Sequence, residues 1–101
     1  MDNTQREKYA WFICSQLDRR TLLEQLAEEA AELSQAALKA IRAEQLNNNV
    51  TEVDLQEAKN NVVEEIRDVL IVASMVTGWG DWENSYKWER WAVRLMKNAE
   101  D

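Results

Sequence analysis

The chain has 101 residues with a net charge of −7, no histidine, no proline, two glycines and one cysteine. These numbers fit one domain, or one half of an obligate dimer, and exclude an intrachain disulfide, Ser-His and Cys-His catalysis, and zinc or di-iron sites built on histidine. The acidic balance argues against broad contact with a nucleic-acid backbone.

With almost no helix breakers and with Ala, Leu, Glu, Gln, Lys and Arg dominant, the chain reads as all-α. Periodicity predicts four helices in a single domain spanning 1–101. The first runs from Thr4 to Leu17 and carries Tyr9, Phe12, Ile13 and Leu17. Cys14 lies among these apolar residues, which predicts a buried thiol. Asp18 to Thr21 forms the joint, and Thr21-x-x-Glu24 has the form of a capping box. The second helix runs from Leu22 to Leu46, with Leu22, Leu26, Leu33, Ala37 and Ile41 as its apolar stripe. Asn47, Asn48 and Asn49 are expected to end it.

Thr51 to Asp54 reads as the start of a third helix, which extends to Thr77. Its apolar side comprises Leu55, Val62, Ile66, Val69, Ala73 and Val76. Gly78-Trp79-Gly80 stops it, and Asp81 is the expected cap of a fourth helix carrying Trp82, Trp88, Trp91, Val93, Leu95 and Met96. So much apolar surface on so short a chain predicts a homodimer or homotetramer, with chains completing a larger bundle. No apolar run is long enough to span a bilayer, and the first residues do not form a signal peptide. The expected setting is the cytoplasm, away from membranes.

One acidic pattern occurs twice, as Glu28-Glu29-Ala30-Ala31-Glu32-Leu33 and Glu64-Glu65-Ile66-Arg67-Asp68-Val69. Residues three and four apart share a helical face, so each copy sets carboxylates side by side. At ~100° per residue, Glu29 and Glu65 fall at the edge of their apolar stripes, with Glu32 and Asp68 just beyond. Four carboxylates brought together without a fixed cation repel one another, and a hard divalent ion relieves that repulsion. The competing reading is an acidic, solvated face on a non-enzymatic oligomerisation or interaction module. A calcium sensor does not fit, because no Asp-rich loop with a central glycine is present.

Glu28-Glu29-x-x-Glu32 followed by Glu65-x-x-Asp68 resembles the signature of MazG-like, all-α nucleoside triphosphate pyrophosphohydrolases. That superfamily also includes dimeric dUTPases, dCTP pyrophosphatases and phosphoribosyl-ATP pyrophosphohydrolases. The resemblance extends over residues 20–95. It departs in the 32 residues separating Glu32 from Glu65, a long gap whose extra length falls around Asn47 to Asp54.

The resemblance implies Glu29, Glu32, Glu65 and Asp68 as Mg²⁺ ligands, with Mn²⁺ as a substitute. It implies hydrolysis of a nucleoside triphosphate to monophosphate and pyrophosphate, with a role in clearing non-standard or surplus nucleotides. Glu28, beside the ligands, is the candidate general base or else a surface acid. Lys39, Lys87 and Arg94 are candidates for binding the triphosphate, and Arg90 lies on the same stripe as Lys87 and Arg94. Their alternative is pairing with Glu83, Glu89 and their neighbours. Trp11, with Tyr9 and Phe12, can wall a nucleobase, as can Trp79 or Trp82. Packing is the competing role for all five. Asn60 and Asn61 can read a base or sugar, or sit on open helix surface.

Overall fold

The computed structural model of the chain describes residues 1–49, 52–78 and 86–100. The described residues form four helices and no strand: α1 (Asn3–Gln16), α2 (Arg19–Ala43), α3 (Leu55–Thr77) and α4 (Tyr86–Glu100). The expected start at Thr51 and cap at Asp81 lie outside the described residues, as do Trp79, Gly80, Trp82 and Glu83.

Three aspartates start three helices. Asp2 and Gln5 form a reciprocal capping box on α1. The Asp18 carboxylate accepts from the Thr21 amide at 2.8 Å, and that of Asp54 from the Glu57 amide at 2.8 Å. The Thr21 capping box is therefore corrected. Asp18 supplies the cap three residues earlier, and Glu24 pairs instead with Arg20 at 3.0 Å. These amide-satisfying caps are worth about 1 kcal/mol each.

The end of α2 is corrected as well. The helix stops at Ala43, before the asparagines. The Gln45 amide donates to the Arg42 carbonyl and the Leu46 amide to the Ile41 carbonyl, with Gln45 at φ 58°. This pair of bonds is a Schellman motif, whose left-handed position favours glycine. A side chain there costs about 1–2 kcal/mol, part of which glycine returns through its floppier unfolded chain. Gln45→Gly is expected to raise stability by about 0.5–1 kcal/mol, read as a higher melting temperature. Gly78, at φ 90°, closes α3 as its position predicts, with its amide donating to the Ser74 carbonyl.

The packed unit is the antiparallel hairpin of α2 and α3. Among the described residues no other pair of helices is in extensive contact. Its buried residues are mostly small: Ala36 and Ala40 on α2 and Ala58 on α3, together with Leu22 and Val72. Leu26, Leu33, Val62 and Val69 are half-buried along the same seam. Ala37, Leu55 and Ile66, expected inside, are exposed, because the helices meet one position round from where the larger residues centre the stripe. Lys59 reaches Glu44 across the loop end at 3.9 Å, an exposed pair of small worth.

Helix α1 has no buried residue, and Cys14 is exposed rather than enclosed. Tyr9, Trp11, Phe12 and Leu17 around it are exposed as well, so its apolar neighbours do not cover the thiol. The radius of gyration is 17.5 Å, against about 13 Å for a compact domain of this length. Accessible surface is 8590 Å², whereas a closed monomer of 11.8 kDa exposes about 5,900 Å².

Candidate metal centre

The hairpin brings the two acidic motifs together. Glu29 reaches the seam from α2, and Glu65 and Asp68 from α3, all three half-buried. Each can offer one carboxylate oxygen such that the three oxygens lie within 4.8 Å of one another. Antiparallel pairing across Ala36, Ala40 and Ala58 sets this meeting, because those alanines let the backbones approach.

One Glu29 oxygen accepts from the Gln25 side-chain amide at 2.8 Å. The other, Oε2, is shielded from solvent and has no hydrogen-bond partner, and the same holds for Glu65 Oε2. A shielded carboxylate oxygen without a donor is costly and calls for a proton, a water or a cation. Glu65 responds in the expected direction. Desolvation, then the charges of Glu32, Asp68 and Glu29, hold its carboxyl above the usual glutamate value of 4.5.

Glu32 therefore stands beside the three converging oxygens and acts on them through Glu65, while its own side chain is exposed. The donor set is all oxygen, anionic, partly desolvated and open on one side. It suits a hard divalent cation that keeps waters or takes phosphate oxygens in its remaining positions. Magnesium demands tight octahedral geometry, and rotation about the glutamate and aspartate side-chain torsions can close the three oxygens on an ion of that size.

The other candidate residues fall elsewhere. Glu28 is exposed, next to Glu29 but outside the converging group. Lys39 lines a cleft of about 400 Å³ with Asp54, Glu57, Asn60, Asn61 and Glu64. That cleft opens about one helical turn from Glu65, since Asn61 precedes Glu65 by four residues. Lys87, Arg90, Trp91 and Arg94 line a shallow depression made by α4 alone, with the Lys87 ammonium 5.9 Å from the Trp91 ring centre. Trp11 is 75% exposed and shares a surface hollow with Thr4, Glu7 and Lys8 of α1. Tyr9 and Phe12 are exposed too. Within one chain, then, the hairpin assembles the acids and the Lys39 cleft, while the basic stripe and the aromatic wall stay on helices that make no extensive contact with it among the described residues.

Sequence reasoning misses Gln25 and its bond to Glu29. The signal was available, because Gln25 precedes Glu29 by one helical turn. Comparison with known protein families, with curated proteins and with solved structures finds no match.

Proposed function

We propose that this chain is a divalent-cation-dependent nucleoside triphosphate pyrophosphohydrolase, working as a homo-oligomer. The observation that carries the reading is the pair of shielded, unpartnered oxygens on Glu29 and Glu65, converging with Asp68 from two copies of one motif. The likeness of those motifs to the MazG-like signature points the same way. An interaction module that treats its acids as solvated surface has no use for carboxylate oxygens turned away from water.

In this reading Glu29, Glu65 and Asp68 hold Mg²⁺, or Mn²⁺ in its place, and Glu32 completes the negative field. When bound, the ion supplies charge neutralisation at the phosphate oxygens and polarises the α–β anhydride. Glu28 accepts the proton of the attacking water. The water oxygen stays on phosphorus, the α–β bridge bond breaks, and pyrophosphate leaves. Lys39, two to three turns along α2 from the acids, meets phosphate or ribose from the cleft side. Lys87 and Arg94 are cations for the outer phosphates once assembly brings α4 to the seam.

The test is pyrophosphate release from a panel of ribo- and deoxynucleoside triphosphates, with Mg²⁺ and with a chelator. The expected result is metal-dependent release with monophosphate as the co-product. Folded protein that releases none from any member overturns the reading.

A further inference from the structure

The cleft beside the acidic seam has a chemistry of its own. Lys39 of α2 and Glu57, Asn61 and Glu64 of α3 line it, with Val53 and the buried Ala58. At about 400 Å³ it has the size of a small-molecule seat. At ~100° per residue, Glu57, Asn61 and Glu64 fall in one ~60° sector of α3, and Asp68 falls in the same sector. One stripe of α3 thus runs from the cleft into the acids. Lys39 stands two turns beyond Glu32 on the facing helix.

With Asp54, the cleft holds three carboxylates against one ammonium. That balance repels phosphate and favours a neutral ligand rich in N–H and O–H donors. Not every lining group is available to such a ligand. The Asp54 carboxylate already accepts from the Glu57 backbone amide at 2.8 Å, and the Asn60 side-chain oxygen from the Gln56 side-chain amide at 2.9 Å. The Glu57 and Glu64 carboxylates and the Asn61 side-chain amide have no such partner among the described residues. No aromatic ring is among the described residues that line the cleft, so a ligand there is read at its edges rather than by stacking.

We propose that this cleft seats the nucleoside of the substrate and selects a base with an exocyclic amino group (adenine, cytosine or guanine) over uracil and thymine. The proposal rests on the reading of the acids as the phosphate end. Along the axis of α3, Asn61 lies about 6 Å from Glu65, and Glu57 about 12 Å. A nucleotide with its α-phosphate at the acids has its ribose next in line and its base beyond. Asn61 and Glu64 therefore meet the sugar, where a carboxylate accepts from ribose hydroxyls. Glu57 meets the base edge. Its carboxylate accepts from an amino N–H, as carboxylates do from cytosine N4. Every exocyclic polar group of uracil and thymine is a carbonyl oxygen, and their one free ring N–H lies between two of them. Acceptor set against acceptor repels, so these bases are refused by the same group that admits the others.

The test compares kcat/KM for CTP, ATP and GTP with that for UTP, in wild type and in Glu57→Gln. Calorimetric binding of CMP and UMP to both proteins accompanies it and needs no turnover. Wild type is expected to favour at least one amino-bearing base over uracil by roughly tenfold or more, and to bind CMP ahead of UMP. Glu57→Gln is expected to bring cytosine and uracil within about threefold of each other, because an amide both accepts and donates. The Glu57 side chain is exposed and its backbone amide is capped by Asp54, so the variant keeps its helices, read by circular dichroism. Equal or preferred use of UTP overturns the proposal, and so does a base preference that Glu57→Gln leaves unchanged. A protein that releases no pyrophosphate yet binds CMP ahead of UMP through Glu57 refutes the proposed reaction alone. One that releases pyrophosphate without base preference refutes the nucleoside seat alone. Absence of both turnover and CMP binding overturns both.

Discussion

Glu65→Gln is expected to make the metal-free protein more stable while lowering its turnover by roughly 10²–10³-fold, the scale set by losing one preorganised electrostatic contact. The opposed signs are the point. In the metal-free protein Glu65 is a liability, since its carboxyl is desolvated and faces the charges of Glu32, Asp68 and Glu29. The amide keeps the shape, removes the charge and donates hydrogen bonds to the neighbouring carboxylates. The proposed reaction makes the opposite demand on the same residue, as a ligand to the cation. Thermal melts in chelator and the pyrophosphate assay check the two halves separately. A variant less stable than wild type in chelator removes the premise of crowded carboxylates, and a fully active one removes the ligand role.

The pH dependence follows from the same group. A carboxyl whose folded value is raised binds more protons in the folded state than in the unfolded state, so stability rises as pH falls through the raised value toward 4.5. Asp18 acts in the other direction. Its hydrogen bonds with Thr21 hold it below 3.8, so its contribution is present above that value and is lost in stronger acid. Metal-free wild type should therefore gain stability on mild acidification and lose it at lower pH. Glu65→Gln should lose the gain and keep the later fall. Saturating Mg²⁺ should invert the first limb, because protons then compete with a bound ion.

The acidic seam was legible because its information is local. Spacing of three and four residues sets Glu29 beside Glu32 and Glu65 beside Asp68 on any helix, and the apolar stripes turn both pairs toward the seam. What spacing does not carry is the distance between helices. Leu26, Ala37, Leu55 and Ile66 weigh on a helical wheel by hydrophobicity, yet the contact is made where Ala36, Ala40 and Ala58 let the backbones come close. Burial follows contact, so the large residues lie at the margins. Cys14 was misjudged for a related reason: apolar neighbours in sequence are no cover when their helix makes no extensive contact with another among the described residues. The stop at Gln45 was hidden because it is a backbone motif adopted against residue preference. The positions of Lys87, Arg94 and Trp11 relative to the acids depend on how helices assemble, which no period within one helix encodes.

Ala36→Leu is expected to destabilise the chain by about 1–3 kcal/mol and to abolish metal binding without touching a carboxylate. Ala36 is 3% exposed and lies two turns beyond Glu29 on the same face. A leucine has no room there and must drive α3 away from α2. A shift of even 1 Å, modest for a packed core, separates oxygens that now lie within 4.8 Å across the two helices. Against a total stability of about 5–15 kcal/mol for a domain, the loss is large because, among the described residues, five buried side chains hold the hairpin. Ala36→Gly is the companion variant. It keeps the close approach, costs about 1 kcal/mol in helix propensity, and should retain the ion. Denaturant unfolding gives the stability of both, and Mn²⁺ titration by electron spin resonance gives the ion. If Ala36→Leu bound Mn²⁺ as wild type does, the carboxylates would not be converging across this contact, and the centre would have to lie on one helix alone. Glu65→Gln and Ala36→Leu thus both impair the site but move stability in opposite directions, which separates the charge of the site from the packing that assembles it.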